Sequence, residues 1–328
     1  MNLNACNADE ALANGLWYLM TAGYNEESRG GDVMVAAVPV MTTYLCPSNR
    51  VLFSPHRDAN PVFHLMEAVW MLAGERDVSW LLQFNSTFAK YAEDNGYMHG
   101  AYGYRWSKHF SYDQLADIAE VLRKDPLSRQ AVLAMWDAPY DLNETYKDIP
   151  CNTHVYFDLR RGKLNMTVCC RSNDIIWGAY GSNVVHFSLL QEVLASELGV
   201  QVGVYRQFSN NYHAYKDNPF FKAVCEDRSL ASFTSRYETH GVLPYPIKSS
   251  LSEIVADCTN VVHGTPQDAT TPFFINVVIP LLHAHRAYKE GDKPRAIALA
   301  AGLMPDRNDW RMAFTEWVQR RMERENVG

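Results

Sequence analysis

Cys151 and Arg171 are the two residues of this chain best suited to covalent chemistry. Cys151 follows Pro150, and Arg171 opens the stretch Arg171-Ser172-Asn173-Asp174. A cysteine is a weak nucleophile until a cation holds it as thiolate, and an arginine can do so while keeping N–H donors for an anion. The intervening residues say how the two could meet. His154-Val155-Tyr156-Phe157-Asp158-Leu159 alternates, Arg161-Gly162 reads as a turn, and Leu164-Asn165-Met166-Thr167-Val168 alternates back. That is a β-hairpin whose outer ends, Cys151 and Arg171, lie side by side. Alone, the pair also fits a half-buried cysteine beside a solvated arginine.

Other elements present further polar groups. Residues 60 to 73 read as a helix with Asn60 as N-cap, Pro61 in the first turn and Gly74 closing the end. Phe63, Glu67 and Trp70 share its apolar stripe, which puts a carboxylate where burial is costly unless the group is paired or used; the alternative is a stripe edge reaching solvent. Ser182 and Asn183 precede the apolar run from Val184 to Leu198, a buried helix ending at Gly199, and by position either one could be its N-cap. The arginines available for a phosphate dianion are Arg29 in Ser28-Arg29-Gly30-Gly31, Arg129 in Pro126-Leu127-Ser128-Arg129-Gln130, and Arg171 with Ser172.

The bulk composition narrows the class. With 328 residues, 47% of them hydrophobic, the chain can bury a large core. A net charge of −7 argues against the broad basic surface of a nucleic-acid binder but leaves room for a local arginine cluster around a small anion. Seven cysteines without a CxxC pair or signal peptide fit thiols in a reducing, cytoplasmic setting. The longest apolar run, Phe273 to Leu282, is too short for a membrane span and is interrupted by Asn276 and Pro280. His283 and His285 point to different helix faces, so no metal pair is expected there. The motifs lie in one unit, residues 1–245. Residues 246–328 read as a helical extension packed on it, with Trp310, Phe314, Trp317 and Arg321 forming a helical stripe.

Taken together, these motifs resemble the thymidylate synthase family, including its pyrimidine nucleotide 5-hydroxymethylase branch. The resemblance rests on Pro150-Cys151, on Arg171-Ser172-Asn173-Asp174, on Gly178 followed by Asn183, and on His213-Ala214-Tyr215. Upstream it includes Glu67 to Gly74, Tyr91 to Gly96 and Tyr102-Gly103-Tyr104-Arg105-Trp106, and it covers roughly residues 20 to 218. It implies an α/β fold with a large mixed sheet, a homodimer, and a pyrimidine nucleotide and 5,10-methylenetetrahydrofolate as ligands. Cys151 would be the nucleophile, Arg171 its activator, Glu67 the organiser of water and protons, and Tyr102 the aid to C5 proton removal. Arg29, Arg171 and Ser172 would hold the phosphate, with Arg129 reaching in from the partner subunit. His213 and Tyr215 would meet the sugar 3′-hydroxyl. Asp174, Phe88 and Tyr91 would face the folate. Gln130 stands where a second arginine is customary.

One more residue than usual separates Gly178 from the asparagine. Counting back from Leu189-Leu190 makes Asn183 the base reader, whereas counting forward from Gly178 makes it Ser182. An amide accepts from N3–H and donates to O4 of uracil, a carboxylate is the usual choice for cytosine, and a flipped amide could also serve cytosine, so dUMP leads dCMP and CMP. The product forks too. Phe88 in place of tryptophan, Asn152 in place of histidine after the nucleophile, and the unusual Trp177-to-Asn183 segment favour water over hydride as the last reactant. Hydroxymethylation therefore leads synthase-type methylation. A nucleotide-binding homodimer without activity is disfavoured by Cys151, Glu67 and Arg171 occurring together.

Overall fold

Alternating strand segments pair into one mixed sheet of eight strands in this computed structural model, which describes residues 1–327. The strands are β1 (Asn2–Ala5), β2 (Gly23–Ser28), β3 (Gly31–Ala36), β4 (Val40–Tyr44), β5 (Val132–Ala134), β6 (Asn152–Arg160), β7 (Lys163–Asp174) and β8 (Gln201–Tyr215). Their order is β1-β4-β8-β7-β6-β5, and the β2–β3 hairpin joins the C-terminal end of β8 through β3. β7 and β8 run parallel, as do β1 and β4, and the remaining pairs are antiparallel. The α/β fold with a large mixed sheet is thus the architecture expected.

The β6–β7 hairpin closes where expected. Arg161 and Gly162 both take left-handed backbone angles, φ 52° and 73°, the geometry of a two-residue turn that matches strand twist. Along β7, Leu164, Met166 and Val168 are buried while the residues between them are half-exposed, so the pleat sets which side chains face the core. A bulge between Asn152 and His154 shifts the register just after Cys151.

The Pro61–Leu72 helix starts at Asn60, whose Oδ1 accepts from Phe63 N at 3.1 Å. A single buried stripe is too narrow a description of it: every residue except Glu67 is buried. It is enclosed by the Val184–Glu197 helix and by two helices of the C-terminal region, Leu251–Val262 and Asp309–Val327, so an apolar surface all round is what its position demands.

The C-terminal region also contains the Ile279–Lys289 helix and a Lys293–Leu303 helix that the sequence pattern did not reveal. Trp310, Phe314 and Trp317 are buried. Arg320 Nε and Arg321 Nη1 donate to Asp58 Oδ1 at 2.9 and 3.1 Å, and Arg324 Nη2 lies 3.0 Å from Oδ2. Burial opposes ionisation of Asp58, but the Arg321 and Arg320 contacts outweigh it and hold the carboxyl below its usual range. No helix among the described residues is long and apolar enough to cross a membrane.

Gly103 fixes where Tyr102 sits. A Cβ at this position would lie 1.7 Å from the backbone oxygen of Met71, an atom that cannot swing aside. We expect Gly103→Ala to lower stability by about 1–3 kcal/mol, since overpacking against backbone forces a shift. Urea unfolding checks this, and an unchanged midpoint would show that the segment relaxes freely.

Candidate active site

Backbone pairing brings the candidate nucleophile and the cation together. Arg171 N donates to Cys151 O at 2.8 Å, which puts the two residues opposite each other at the open end of the hairpin. The guanidinium then folds over the chain before Cys151: Nε donates to Pro150 O and Nη2 to Ile149 O, each at 2.9 Å. Two of its five N–H groups are used in this way, leaving three for an anion. Burial pushes the Cys151 thiol up; Arg171 and, less strongly, Arg29 pull it down, while Asp148 adds to the upward push. Asp148 itself is raised to about 6 by burial, although its Oδ2 accepts from Gly100 N at 3.2 Å.

Around Cys151 the other groups arrive from separate elements. The Tyr102 hydroxyl accepts from Asn152 N at 3.2 Å, and burial holds the phenol well above its ordinary value, so it keeps a proton to donate. Glu67, the one residue of its helix that is not buried, accepts from Ser182 Oγ at 2.9 Å. Ser182 has thus committed its hydroxyl proton to Glu67.

Asn183 sits within a directional chain of amides. Its Oδ1 accepts from Asn152 Nδ2 at 3.1 Å, and its Nδ2 donates to Asn173 Oδ1 at 3.2 Å. Asn173 Nδ2 in turn donates to Ser209 Oγ at 2.9 Å, and Gln207 Nε2 donates to Asn152 Oδ1 at 3.5 Å. Reversing the Asn183 amide requires Asn152 and Asn173 to reverse with it. One lone pair and one N–H of Asn183 remain, enough for a base edge that offers one donor and one acceptor.

Asn183 is not a helix N-cap. Ile175–Asn183 is a π-helix that runs directly into the Val184–Glu197 helix, and Asn183 has helical backbone angles with no capping bond. The wider π turn absorbs the extra residue. The cap lies at the other end of the π segment: Asp174 Oδ1 accepts from Ile176 N at 2.9 Å and Trp177 N at 2.6 Å. Asp174 Oδ2 is buried and has no partner among the described residues, which leaves an acceptor for a ligand N–H. Burial raises this carboxyl and lowers the imidazole of His213, its cross-strand neighbour, and their mutual attraction opposes both shifts.

His213 Nδ1 contacts Asn211 Oδ1 at 2.7 Å. Gly30 lets the β2–β3 turn approach Tyr215 closely, since a Cβ there would lie 2.6 Å from the tyrosine hydroxyl oxygen; this carries Arg29 toward the site. Phe88 packs edge-on between Phe63 and Tyr91, at 5.4 and 5.5 Å, and Phe63 stands one helical turn before Glu67. Ser172 pairs with Asn211 across β7 and β8. Arg129 is exposed on the loop before β5, with no hydrogen bond or ion pair recorded among the described residues, and is not among the charges acting on Cys151. A cavity of about 680 Å³ lies elsewhere, between Trp80, Phe84 and the C-terminal residues Val261, Ile279 and Leu282; its lining contains none of the groups that converge on Cys151.

Sequence reasoning did not single out Asp148, Asn173, His186, Gln207 or Ser209. Asn173 could have been found, since it stands inside the Arg171-to-Asp174 motif, and His186 is a polar interruption of an otherwise apolar run. Ser209 likewise opens the stretch that leads to His213-Ala214-Tyr215, whereas Asp148 and Gln207 carry no local signal, because their partners are distant in sequence.

The opposing effects on Cys151 give a pH prediction. Its alkylation by iodoacetamide should accelerate as pH rises past the ordinary thiol range, and Arg171→Gln should slow it at neutral pH, each further unit of rise cutting the thiolate fraction about tenfold. Because Cys6, Cys46 and Cys225 are exposed, the rate must be read on the Cys151 peptide by mass spectrometry. Equal rates in wild type and variant would remove Arg171 from thiol activation.

Comparison with known proteins places the chain as a whole. The profile described as thymidylate synthase matches residues 16–225. A deoxyuridylate hydroxymethyltransferase of Pseudomonas phage M6 is 41% identical over 326 residues, covering 96% of this chain and 93% of that protein. That similarity extends into the C-terminal helices. A protein of the same name from Bacillus phage SP01 is 39% identical over 191 residues, 55% of this chain and 50% of its own length. One from Delftia phage PhiW-14 is 30% identical over 207 residues, 60% and 57% of the two chains. With the profile spanning most of the chain and the phage M6 relative matched along nearly its whole length, this chain belongs to the thymidylate synthase family.

Proposed function

We propose that this protein is a deoxyuridylate 5-hydroxymethylase that uses 5,10-methylenetetrahydrofolate as its one-carbon donor. The observation that carries the reading is the hairpin end at which Arg171 stands over Cys151, with Asn183 held by its amide chain and Glu67 opening beside it. The names of the phage relatives support water as the final reactant and uracil as the base.

The pyrimidine lacks nucleophilic character at C5, and covalent addition supplies it. Cys151 thiolate adds to C6, and Asn183 holds the N3 and C4 edge while charge builds on O4. The folate supplies a carbon at the oxidation level of formaldehyde, which becomes bonded to C5. Tyr102, protonated and held by Asn152 N, assists removal of the C5 proton through a water. Departure of tetrahydrofolate leaves an exocyclic methylene on the nucleotide. Water then adds to that carbon, C5=C6 re-forms, and the Cys151 thiolate leaves. The buried, unpartnered Asp174 Oδ2 and the Phe88–Tyr91 pair fit a flat heterocycle bearing N–H donors. Arg29, Arg171 and Ser172 would receive the phosphate, and His213 with Tyr215 the sugar.

Arg129, exposed and away from its own Cys151, is assigned to the phosphate site of a second copy in a homodimer. Mixing inactive Cys151→Ser and Arg129→Ala proteins should then restore roughly a quarter of wild-type activity, because half the dimers are mixed and each has one intact site. No recovery after subunit exchange would count against the shared site.

Product analysis with dUMP, dCMP and CMP, each with methylenetetrahydrofolate, tests the reaction. The expected outcome is turnover of dUMP to a product one oxygen heavier than thymidylate, with tetrahydrofolate released. Dihydrofolate formed in step with product would instead mean methylation. Cys151→Ser should abolish turnover and retain nucleotide binding. Asn183→Asp should move preference toward dCMP by about tenfold or more, since a carboxylate repels O4 of uracil and accepts from the cytosine amino group. An equal loss on both substrates would remove Asn183 as the base reader.

A further inference from the structure

His186 is a buried histidine, 3% exposed, in the first turn of the Val184–Glu197 helix. Its Nε2 lies 3.2 Å from Glu67 Oε2, yet the two are not aligned for a hydrogen bond, and Nε2 has no other partner among the described residues. Burying an imidazole nitrogen without a partner costs free energy, and natural proteins keep few such groups. Ser182, four residues earlier and so on the same side of the helix, donates to that same Oε2. Glu67 is therefore met from one element by a satisfied hydroxyl and an unsatisfied imidazole.

Three other titratable groups, His64, Arg57 and Asp148, act on this pair or on one another. His64, on the same helix as Glu67, is held neutral, its value pushed down to about 3 by burial and by Arg57 and His186. Arg57 spends Nε and Nη2 on Ile176 O at 3.2 and 3.0 Å. Asp148 lies within electrostatic range of Glu67 and also of Cys151. Among the described residues, only His186 has a ring nitrogen that is both orphaned and within 3.2 Å of Glu67.

We propose that His186 is a positioning residue for the water-addition step, holding Glu67 and, through it, the water that attacks the exocyclic methylene. This rests on the hydroxymethylase reading. In that step the water oxygen bonds to the exocyclic carbon, and the pair from the exocyclic double bond moves onto O4 as an enolate. Collapse of the enolate forms C5=C6 and breaks C6–S, releasing the Cys151 thiolate, while the water proton passes to Glu67. His186 Nε2 orients the carboxylate that takes this proton, so its loss should slow water addition more than the steps before it.

A competing nucleophile isolates the step. Added 2-mercaptoethanol can capture the exocyclic methylene as a thioether, so the ratio of hydroxymethyl to thioether product reports water addition alone. Tritium release from dUMP labelled at C5 reports the steps that precede it. In His186→Leu the ratio should fall at least about tenfold against wild type while tritium release changes far less. His186→Gln, whose amide can reach Glu67, should recover most of the ratio. Should the Leu variant fail to fold, His186→Asn, whose amide stops short of Glu67, replaces it. An unchanged ratio in a folded variant, or a Gln variant no better than Leu or Asn, overturns the role of His186 and leaves the hydroxymethylase reading intact. Wild-type enzyme that yields dihydrofolate and thymidylate overturns both.

Discussion

The hydrogen bond from Arg171 N to Cys151 O is the contact on which the site depends, because it turns a separation of strands in sequence into adjacency of two functional groups. With that register in place, the Arg171 side chain reaches Pro150 O and Ile149 O and ties down the chain that leads into Cys151. The alternation along β7 leaves no freedom in this register, since a slip of one residue would turn Leu164, Met166 and Val168 out of the core. Core packing thereby enforces the distance between thiol and cation. On the other edge of β7, the parallel register with β8 sets Asp174 beside His213, so the proposed folate contact shares a strand with Arg171 and the proposed sugar contact lies on the strand beside it.

Two opposed environments meet at Cys151. Burial disfavours its thiolate, and Asp148 nearby disfavours it further, while Arg171 and Arg29 favour it. Burial wins, so the thiol stands above its ordinary range and is protected from casual reaction. The Pro61–Leu72 helix shows the same economy. It is buried on all sides except at Glu67, so the carboxylate occupies the one point where that helix opens.

The π-helix at Ile175–Asn183 joins these parts. π turns are rare, and here one absorbs a residue without breaking the run into the Val184–Glu197 helix. Ser182 can consequently face Glu67 while Asn183 turns into the amide chain. Asp174 closes the front of the π segment and still presents a free buried oxygen.

The sequence by itself determined the elements and their chemistry. The β6–β7 hairpin, its Arg161-Gly162 turn, the Asn60 cap and the helix end at Gly199 follow from alternation, capping and left-handed turn residues, all local effects. The pairing of Cys151 with Arg171 was legible for the same reason: a tight hairpin makes its two ends neighbours. What the tertiary structure decided was how polar groups from distant segments satisfy one another. Ser182 bonding Glu67, the relay from Gln207 through Asn152 and Asn183 to Asn173 and Ser209, the orphaned His186, and the Asp58 clasp on the last helix each join positions far apart in the chain. Local propensity is blind to these contacts, because hydrogen-bond geometry and desolvation exist only once the elements have packed.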